Sequence, residues 1–294
     1  MELSVCILTW NAREYLEKAL ATLAPVVASG FCEVIVIDNN STDGTSGYLA
    51  QEHPDIRLIT NKSNRGFAAG NNQGLEVAKG RYLMILNPDT LVHPEAFETL
   101  VTYLDSHPEV GIAGPKLLNR DGSLQFSCRR FPRPLAAAFR NTPLGRLFPN
   151  SHLVRDYLMQ DLAHDADGAV DWLSGAAMIF RREVYEQLGG LSEDYFMYLE
   201  DVDFCLRAHK AGWEVHYVPE AVITHVIGGS SSKNPLPMVI VFHKSMYRYF
   251  VKHQSPGVKV LLRPLAASAL TARGFTVAAK VCLDLLKDRL RGKA

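Results

Sequence analysis

The chain has 294 residues, 47% hydrophobic and 21% charged, which is enough apolar material for one large domain or a domain with an extension. Lys plus Arg equals Asp plus Glu at 31 each, and a zero net charge argues against a general nucleic-acid binder. The five cysteines are scattered, with no Cys-x-x-Cys pair, so neither a disulfide framework nor a zinc site is expected. A reducing, cytoplasmic setting follows as the expectation. The N-terminus shows no basic stretch followed by a long apolar region, so no signal peptide is expected either.

Leu3 to Leu8 reads as a first strand. Asn11, with Glu14 three residues on, has the pattern of a helix N-cap, and Leu16, Leu20 and Leu23 recur at helical spacing. Glu33 to Ile37 is a second strand that runs into Asp38-Asn39-Asn40-Ser41-Thr42-Asp43-Gly44, a segment dense in turn residues. Ile56 to Thr60 is a short third strand, and Asn64 to Asn72 opens a helix running to about Lys79. The run from Leu83 to Leu86 then stops at Asn87-Pro88-Asp89. A continuous apolar run suits a strand buried on both faces, and Pro88 ends it. Asp89 therefore stands just past a strand's carboxyl end, where open α/β sheets bind ligands. Strands and helices alternating in this way imply βαβ units and a mostly parallel sheet.

Pro94 to Ser106 is expected as a helix, Gly111 to Pro115 as a short strand and Asp121-Gly122 as a hairpin turn. Residues 129–168, rich in Arg, Pro and Asn, read as a long loop. The run from Val170 to Phe180 ends as a strand, Arg182 to Leu188 is a helix stopped by glycines, a helix follows Tyr195–Asp203, and Glu214 to Val218 is a strand. Gly228 to Ser232 marks a break. Two or three helices follow, the first from about Leu236 to His253. Residues 257–294 hold eight basic side chains against Asp284 and Asp288. Their longest uncharged run, Pro264 to Ala272, is far short of the roughly 18–20 apolar residues of a membrane span. A basic amphipathic helix can instead lie on an anionic bilayer, or simply pack on the domain with a solvated face.

The chemistry-bearing residues are few. Asp38 stands where a dinucleotide fold places its ribose-binding acid, yet Thr9-Trp10-Asn11 lacks the glycines that bring backbone close to a pyrophosphate, so the hydride-transfer reading loses its main support. Glu200, Asp201 and Asp203 crowd three carboxylates into four positions. On a helix Glu200 and Asp203 share a face and Asp201 points elsewhere. They are either dipole-favoured acids at a helix start or the source of a general base. His225, just after a strand, could be a metal ligand or a structural residue.

Taken in order, these segments resemble family 2 glycosyltransferases with the GT-A fold. The motifs are Val36-Ile37-Asp38-Asn39-Asn40-Ser41-Thr42-Asp43-Gly44-Thr45, Asn64 to Asn72, Asn87-Pro88-Asp89-Thr90, Trp172-Leu173-Ser174-Gly175-Ala176, Glu200-Asp201-Val202-Asp203, and His225 with the glycines and serines after it. The resemblance covers about residues 1–230 and is nearest to the rhamnosyltransferase-like branch that builds bacterial surface polysaccharides. It implies an α/β, Rossmann-like GT-A domain over 1–230 and a helical C-terminal extension over 231–294. It implies Thr9, Asn11, Asp38, Arg65 and Asn71 as nucleotide-binding, Asp89 as the metal-binding acid with His225 completing the shell, and Asp201 as the catalytic base. Trp172, Gly175 and Glu200 would lie near the acceptor. Asn87 replaces the first acid of the family's Asp-x-Asp motif, which leaves a single carboxylate for Mg²⁺ or Mn²⁺. The implied reaction is inverting, metal-dependent transfer from dTDP-rhamnose or a UDP-sugar to a glycan or lipid-linked acceptor; membrane contact through residues 257–294 stays open from the basic tail alone. The other readings open to the sequence are a non-catalytic sugar-nucleotide-binding or scaffold protein and a nucleotidyltransferase.

Overall fold

The computed structural model describes residues 1–132, 156, 157, 159, 164–226 and 235–290, the side chains of 288–290 excepted. Much of the loop expected over 129–168, and the break at 228–232, lie outside these residues.

The chain opens with β1 (Leu3–Thr9), α1 (Arg13–Ala28), β2 (Cys32–Asp38), α2 (Thr45–Glu52), β3 (Arg57–Thr60), α3 (Phe67–Val77), β4 (Tyr82–Leu86), β5 (Thr90–Val92) and α4 (Ala96–Ser106). The middle holds β6 (Val110–Leu118), β7 (Leu124–Gln125), β8 (Cys128–Arg129), β9 (Gly168–Ala169), β10 (Trp172–Leu173) and β11 (Ala177–Arg181). Then come α5 (Arg182–Leu188), α6 (Glu200–Lys210), β12 (Glu214–His225), α7 (Pro235–Tyr249), a π-turn (Phe250–Gln254), a 3₁₀ turn (Gly257–Leu262) and α8 (Arg263–Leu290).

The main sheet runs β3-β2-β1-β4-β11-β6-β12-β5. β1 pairs in parallel with β2 and β4, β2 with β3, and β6 with β12. β4 is buried along its whole length, as its uninterrupted apolar run requires. Helices cover both faces and give two apolar layers. Leu16, Leu20, Phe97 and Leu100 pack on one side of the sheet, and Leu75, Val184, Phe204 and Tyr217 on the other.

Two departures from the parallel order serve one rim: the reversed β11, and β5 paired antiparallel to the end of β12. β11 is antiparallel to β4 and β6, so its first residue, Ala177, sits opposite Leu86 at the end of β4. That reversal carries Trp172–Ala176 to the rim where β1, β2 and β4 end. β12, expected only to Val218, passes an irregularity between Val218 and Val222 and continues to His225. There β5, which the sequence reading lacked, pairs His225 with Thr90.

The expected N-cap at Asn11 does not form. Asn11 is left-handed (φ 51°), and its Oδ1 accepts from the Thr42 N–H at 2.7 Å. The Asp43 carboxylate accepts from the Arg13 N–H at 2.9 Å instead, so the first turn of α1 is satisfied from the next loop. The helix expected from Leu236 to His253 ends as an α-helix at Tyr249, and its last turn widens into the π-turn.

The C-terminal helices are fastened to the sheet domain by polar contacts. Ser245 Oγ donates to Met197 O at 2.8 Å, Arg248 donates to Asp194 O, and His253 Nε2 lies 2.6 Å from Asp203 Oδ1. Asp203 also takes Arg207 Nε at 2.7 Å and Lys252 Nζ at 3.0 Å. Burial opposes its charge, but the hydrogen bonds from His253 and Arg207 outweigh it and hold the carboxyl well below the usual range.

Candidate active site

The rim is built from loops tied to each other. Thr9 and Asp38 are register partners at the ends of β1 and β2. Asp38 is buried, its Oδ1 accepts from the Ser41 N–H at 2.9 Å, and its Oδ2 accepts from Ser46 Oγ. Ser41 Oγ accepts from the Asn11 N–H at 2.9 Å, which closes the two loops on one another. Asn39 reaches across to the third loop, donating to Asn64 Oδ1 at 2.9 Å and accepting from the Arg65 N–H at 3.0 Å. Thr9, Asn11, Asp38 and Arg65 are thus gathered by one hydrogen-bonded set of loops. The Thr9 hydroxyl is buried without a hydrogen-bond partner among the described residues. Asn71 stands apart: its amide donates to Phe67 O at 2.9 Å, four residues back in its own helix.

At the end of β4, the Asn87 N–H donates to Ala176 O at 2.8 Å, joining the Asn-Pro-Asp turn to the segment before β11. His225 approaches from β12. Its Nδ1 lies 2.7 Å from Gln125 Oε1, and the Gln125 amide nitrogen in turn donates to Asn119 Oδ1 at 3.0 Å and His225 O at 3.3 Å. This pattern assigns the proton to Nδ1 and turns Nε2 toward Asp89 Oδ1, 3.3 Å away. The Asn87 side-chain nitrogen lies 3.4 Å from the same Nε2, so an imidazole and a carboxylate meet at the Asn-Pro-Asp turn. Two such ligands suit Mg²⁺ or Mn²⁺, which keep waters and take phosphate oxygens. Among the described residues there is no group of three or more His, Cys, Asp or Glu placed to hold a metal, in keeping with Asn87 at the first acid position.

A cavity of about 450 Å³ lies beside this turn. Asn87, His225, Trp172, Gly175, Glu200 and Asp201 all line it, so residues more than a hundred positions apart share one wall. Trp172 donates through Nε1 to Arg130 O at 2.8 Å, and the Arg129 guanidinium lies 5.3 Å from its ring. Asp201 is held by two backbone donors, Gly175 N–H at 3.0 Å and Val202 N–H at 2.8 Å. Burial raises its carboxyl above the usual aspartate value, and those N–H groups and Arg129 only partly offset the rise. Glu200 is buried, and its Oε2 has no hydrogen-bond partner among the described residues. Burial and the adjacent Asp201 charge push its carboxyl well above the ordinary range. Asp203, the third acid of the cluster, points away to Arg207 and His253.

The turn into α6 explains how the acids are delivered. Tyr198 and Leu199 are consecutive left-handed residues, at φ 70° and 69°. That conformation is costly for bulky side chains and persists only where the surroundings enforce it. Here the Met197 carbonyl is held by Ser245, and the Tyr198 ring packs edge-on to Phe242 of α7 at 5.5 Å.

Comparison with known proteins accords with this geometry. The profile described as Glycosyltransferase like family 2 matches residues 2–237. The chain belongs to the glycosyltransferase like family 2. This glycosyltransferase is 30% identical over 282 residues to the N-acetylglucosaminyl-diphospho-decaprenol L-rhamnosyltransferase of Mycobacterium tuberculosis, covering 92% of this chain and 91% of that one. It is 24% identical to the rhamnosyltransferase WbbL of Escherichia coli K12, over 84% of this chain and 92% of that one. Among solved structures it resembles the Pyrobaculum calidifontis mannosyltransferase PcManGT in complex with GDP-Man and Mn²⁺. The TM-score is 0.59 at 22% identity, over 98% of this chain and 80% of that one. It also resembles residues 1–349 of Staphylococcus aureus TarS in complex with UDP, with TM-score 0.55 at 17% identity over 94% of this chain and 72% of that one. The fold of this glycosyltransferase is therefore GT-A, as the sequence motifs implied.

Three lining contributions were not foreseen. Gln125, which fixes the His225 tautomer, is a lone polar residue after a hairpin and carries no local signal. Arg129 stands at the start of the Arg-rich stretch but nothing there indicates its target. Phe242, Met246 and Arg273 line the same cavity from α7 and α8, beyond the break that marked the end of the expected domain.

Proposed function

We propose that this glycosyltransferase moves a sugar, with rhamnose favoured, from a nucleotide diphosphate donor to a lipid-linked glycan acceptor, inverting the anomeric centre in a single displacement. The observation that carries this reading is the shared cavity, which Asp201 lines together with Asn87 and His225. The two rhamnosyltransferase relatives support the sugar, and the decaprenol in the name of the Mycobacterium tuberculosis relative supports a polyprenyl acceptor.

Thr9, Asn11, Asp38 and Arg65 form the nucleotide side, with Asn71 shaping it through α3. Asp89 and His225 would hold Mg²⁺ or Mn²⁺, and a cation there would supply Lewis-acid stabilisation of the diphosphate leaving group. Asp201 takes the proton of the acceptor hydroxyl as it attacks the face opposite the diphosphate. Its raised proton affinity favours that transfer, and the Gly175 and Val202 N–H groups keep its oxygens aimed. Glu200, buried next to it at the start of α6, and Trp172 shape the acceptor side.

In this reading residues 1–230 are the catalytic domain and 231–294 the extension. The described part of 257–294 has no helix long and apolar enough to cross a membrane. Its exposed Val258, Leu261, Leu265 and Leu283 lie among basic residues, a surface suited to the cytoplasmic face of an anionic bilayer. The test is a transfer assay with dTDP-rhamnose and UDP-sugars on a polyprenyl-diphosphate-linked glycan, with Mg²⁺, Mn²⁺ or chelator. Release of nucleoside diphosphate with an inverted product by NMR is expected, abolished by chelator. Retention of configuration, or release of pyrophosphate, refutes it.

A further inference from the structure

α7 and α8 pack as a hairpin but do not close on each other. Between them lies a half-open groove of about 1090 Å³, above the roughly 300–1,000 Å³ of ordinary small-ligand sites. The cause is in the sequence. Along the groove α8 presents Ala267, Leu270, Thr271, Gly274, Phe275 and Ala278, and the alanines and the glycine are too small to fill the space. Val239 and Val251 line the other sides.

The groove adjoins the catalytic cavity. His243 lines the groove, Arg273 lines the cavity, and His243 Nε2 lies 3.3 Å from Arg273 Nη1. Next to His243 on α7, Phe242 lines the cavity and Lys244 the groove. Arg273 stands on the seam between the two, while Lys244 and Arg248 are exposed along the groove, where Arg248 donates to Asp194 O. This arrangement has the order of a lipid-linked glycan: sugar, then diphosphate, then hydrocarbon.

We propose that the α7–α8 groove holds the proximal isoprene units of a polyprenyl-diphosphate acceptor, with its diphosphate at the Arg273 seam and its sugar in the Asp201 cavity. The proposal rests on the lipid-linked acceptor reading above. It separates the half-buried Val239, Ala267 and Leu270 of the groove from Leu261, Leu265 and Leu283, which lie outside it and are exposed.

The full chain in detergent is irradiated with a sugar-free polyprenyl diphosphate bearing a diazirine on its first isoprene units. Labelling of Val239, Ala267 or Leu270, chased by unlabelled polyprenyl diphosphate and lost in Ala267→Trp, is expected. Labelling confined to Leu261, Leu265 and Leu283, or unchanged by Ala267→Trp, overturns the proposal, as does cross-linking of two copies through this face. In transfer assays Ala267→Trp is expected to raise KM for the long-chain acceptor at least tenfold while leaving KM for a short-alkyl analogue unchanged. Equal rises for both overturn it. The probe carries no sugar, so labelling reports on the groove even if the transfer reading fails. Conversely, a working transfer assay without labelling rejects the groove alone.

Discussion

The sheet domain and the C-terminal hairpin treat apolar side chains in opposite ways. In the first, Leu3, Ile7, Ile35 and Leu83 are fully buried. In the second, Val258 is 87% and Leu261 83% exposed, and most of the exposed large hydrophobics of the described chain belong to this hairpin. A core that hides its apolar surface is explained by its own folding. A contiguous surface that does not hide it points to something outside the chain. The two regions nonetheless meet in one cavity wall.

The comparison is broken most severely in the sheet domain. Asp201→Asn keeps the shape and the N–H contacts' geometry but removes the proton acceptor, and transfer should fall by about 10²–10⁴-fold. Donor affinity, read by calorimetry, should be largely unchanged; a parallel loss of donor binding would reassign Asp201 to the nucleotide side. Asp203→Ala strikes the fastening between regions. It leaves Arg207, Lys252 and His253 without their shared carboxylate, at a cost of about 3–5 kcal/mol by chemical denaturation. If stability were unchanged, the hairpin would be held by its apolar contacts alone. Because the folded Asp203 carboxyl is depressed, its contribution is full above the unfolded value near about pH 3.9 and is lost as pH falls through the folded one. Asp203→Asn should therefore flatten the acid side of the stability curve.

Gln125→Leu removes the partner of His225 Nδ1 and should raise the metal concentration for half-maximal activity by roughly 10–100-fold, with kcat at saturating metal preserved. The pH profile offers a finer reading. Asp201 must be unprotonated to accept a proton, and its carboxyl is raised, so the acid limb of kcat/KM should lie above the usual aspartate value of about 3.9 and activity should fall as pH drops through it. A limb at the ordinary value would mean that water reaches this carboxylate freely. The smallest effect on stability belongs to the hairpin. Leu261→Ser should change it by no more than about 0.5 kcal/mol, while lowering sedimentation with anionic vesicles. Unchanged vesicle binding would remove the membrane from the account of this surface.

Much of the sheet was readable because its signals are local. The uninterrupted run ending at Pro88 marked a central strand, and the helix over Arg182–Leu188 has the bounds its glycine stop indicated. The antiparallel direction of β11 was not readable, since a run such as Ala177–Arg181 has the same pattern in either direction. The pairing of β5 with β12 depends on a partner about 130 residues away. The motif residues around the cavity could be named from the chain, but the Gln125 support could not. Nor could the contribution of Phe242 and Arg273, since long-range packing leaves no periodic trace. Asn11 misled because its pattern with Glu14 is that of a cap, whereas a left-handed backbone and Thr42 claimed its oxygen.

That the chamber borrows a wall from the far end of the chain has a practical consequence for anyone trimming it. A polypeptide cut at residue 230 would lack Phe242, Met246 and Arg273, and with them the brace on Met197 that Ser245 supplies. Such a shortened enzyme would lack part of its cavity wall, and its inactivity would say nothing about targeting. Point changes on the outward leucines, which leave the partition standing, separate the two questions.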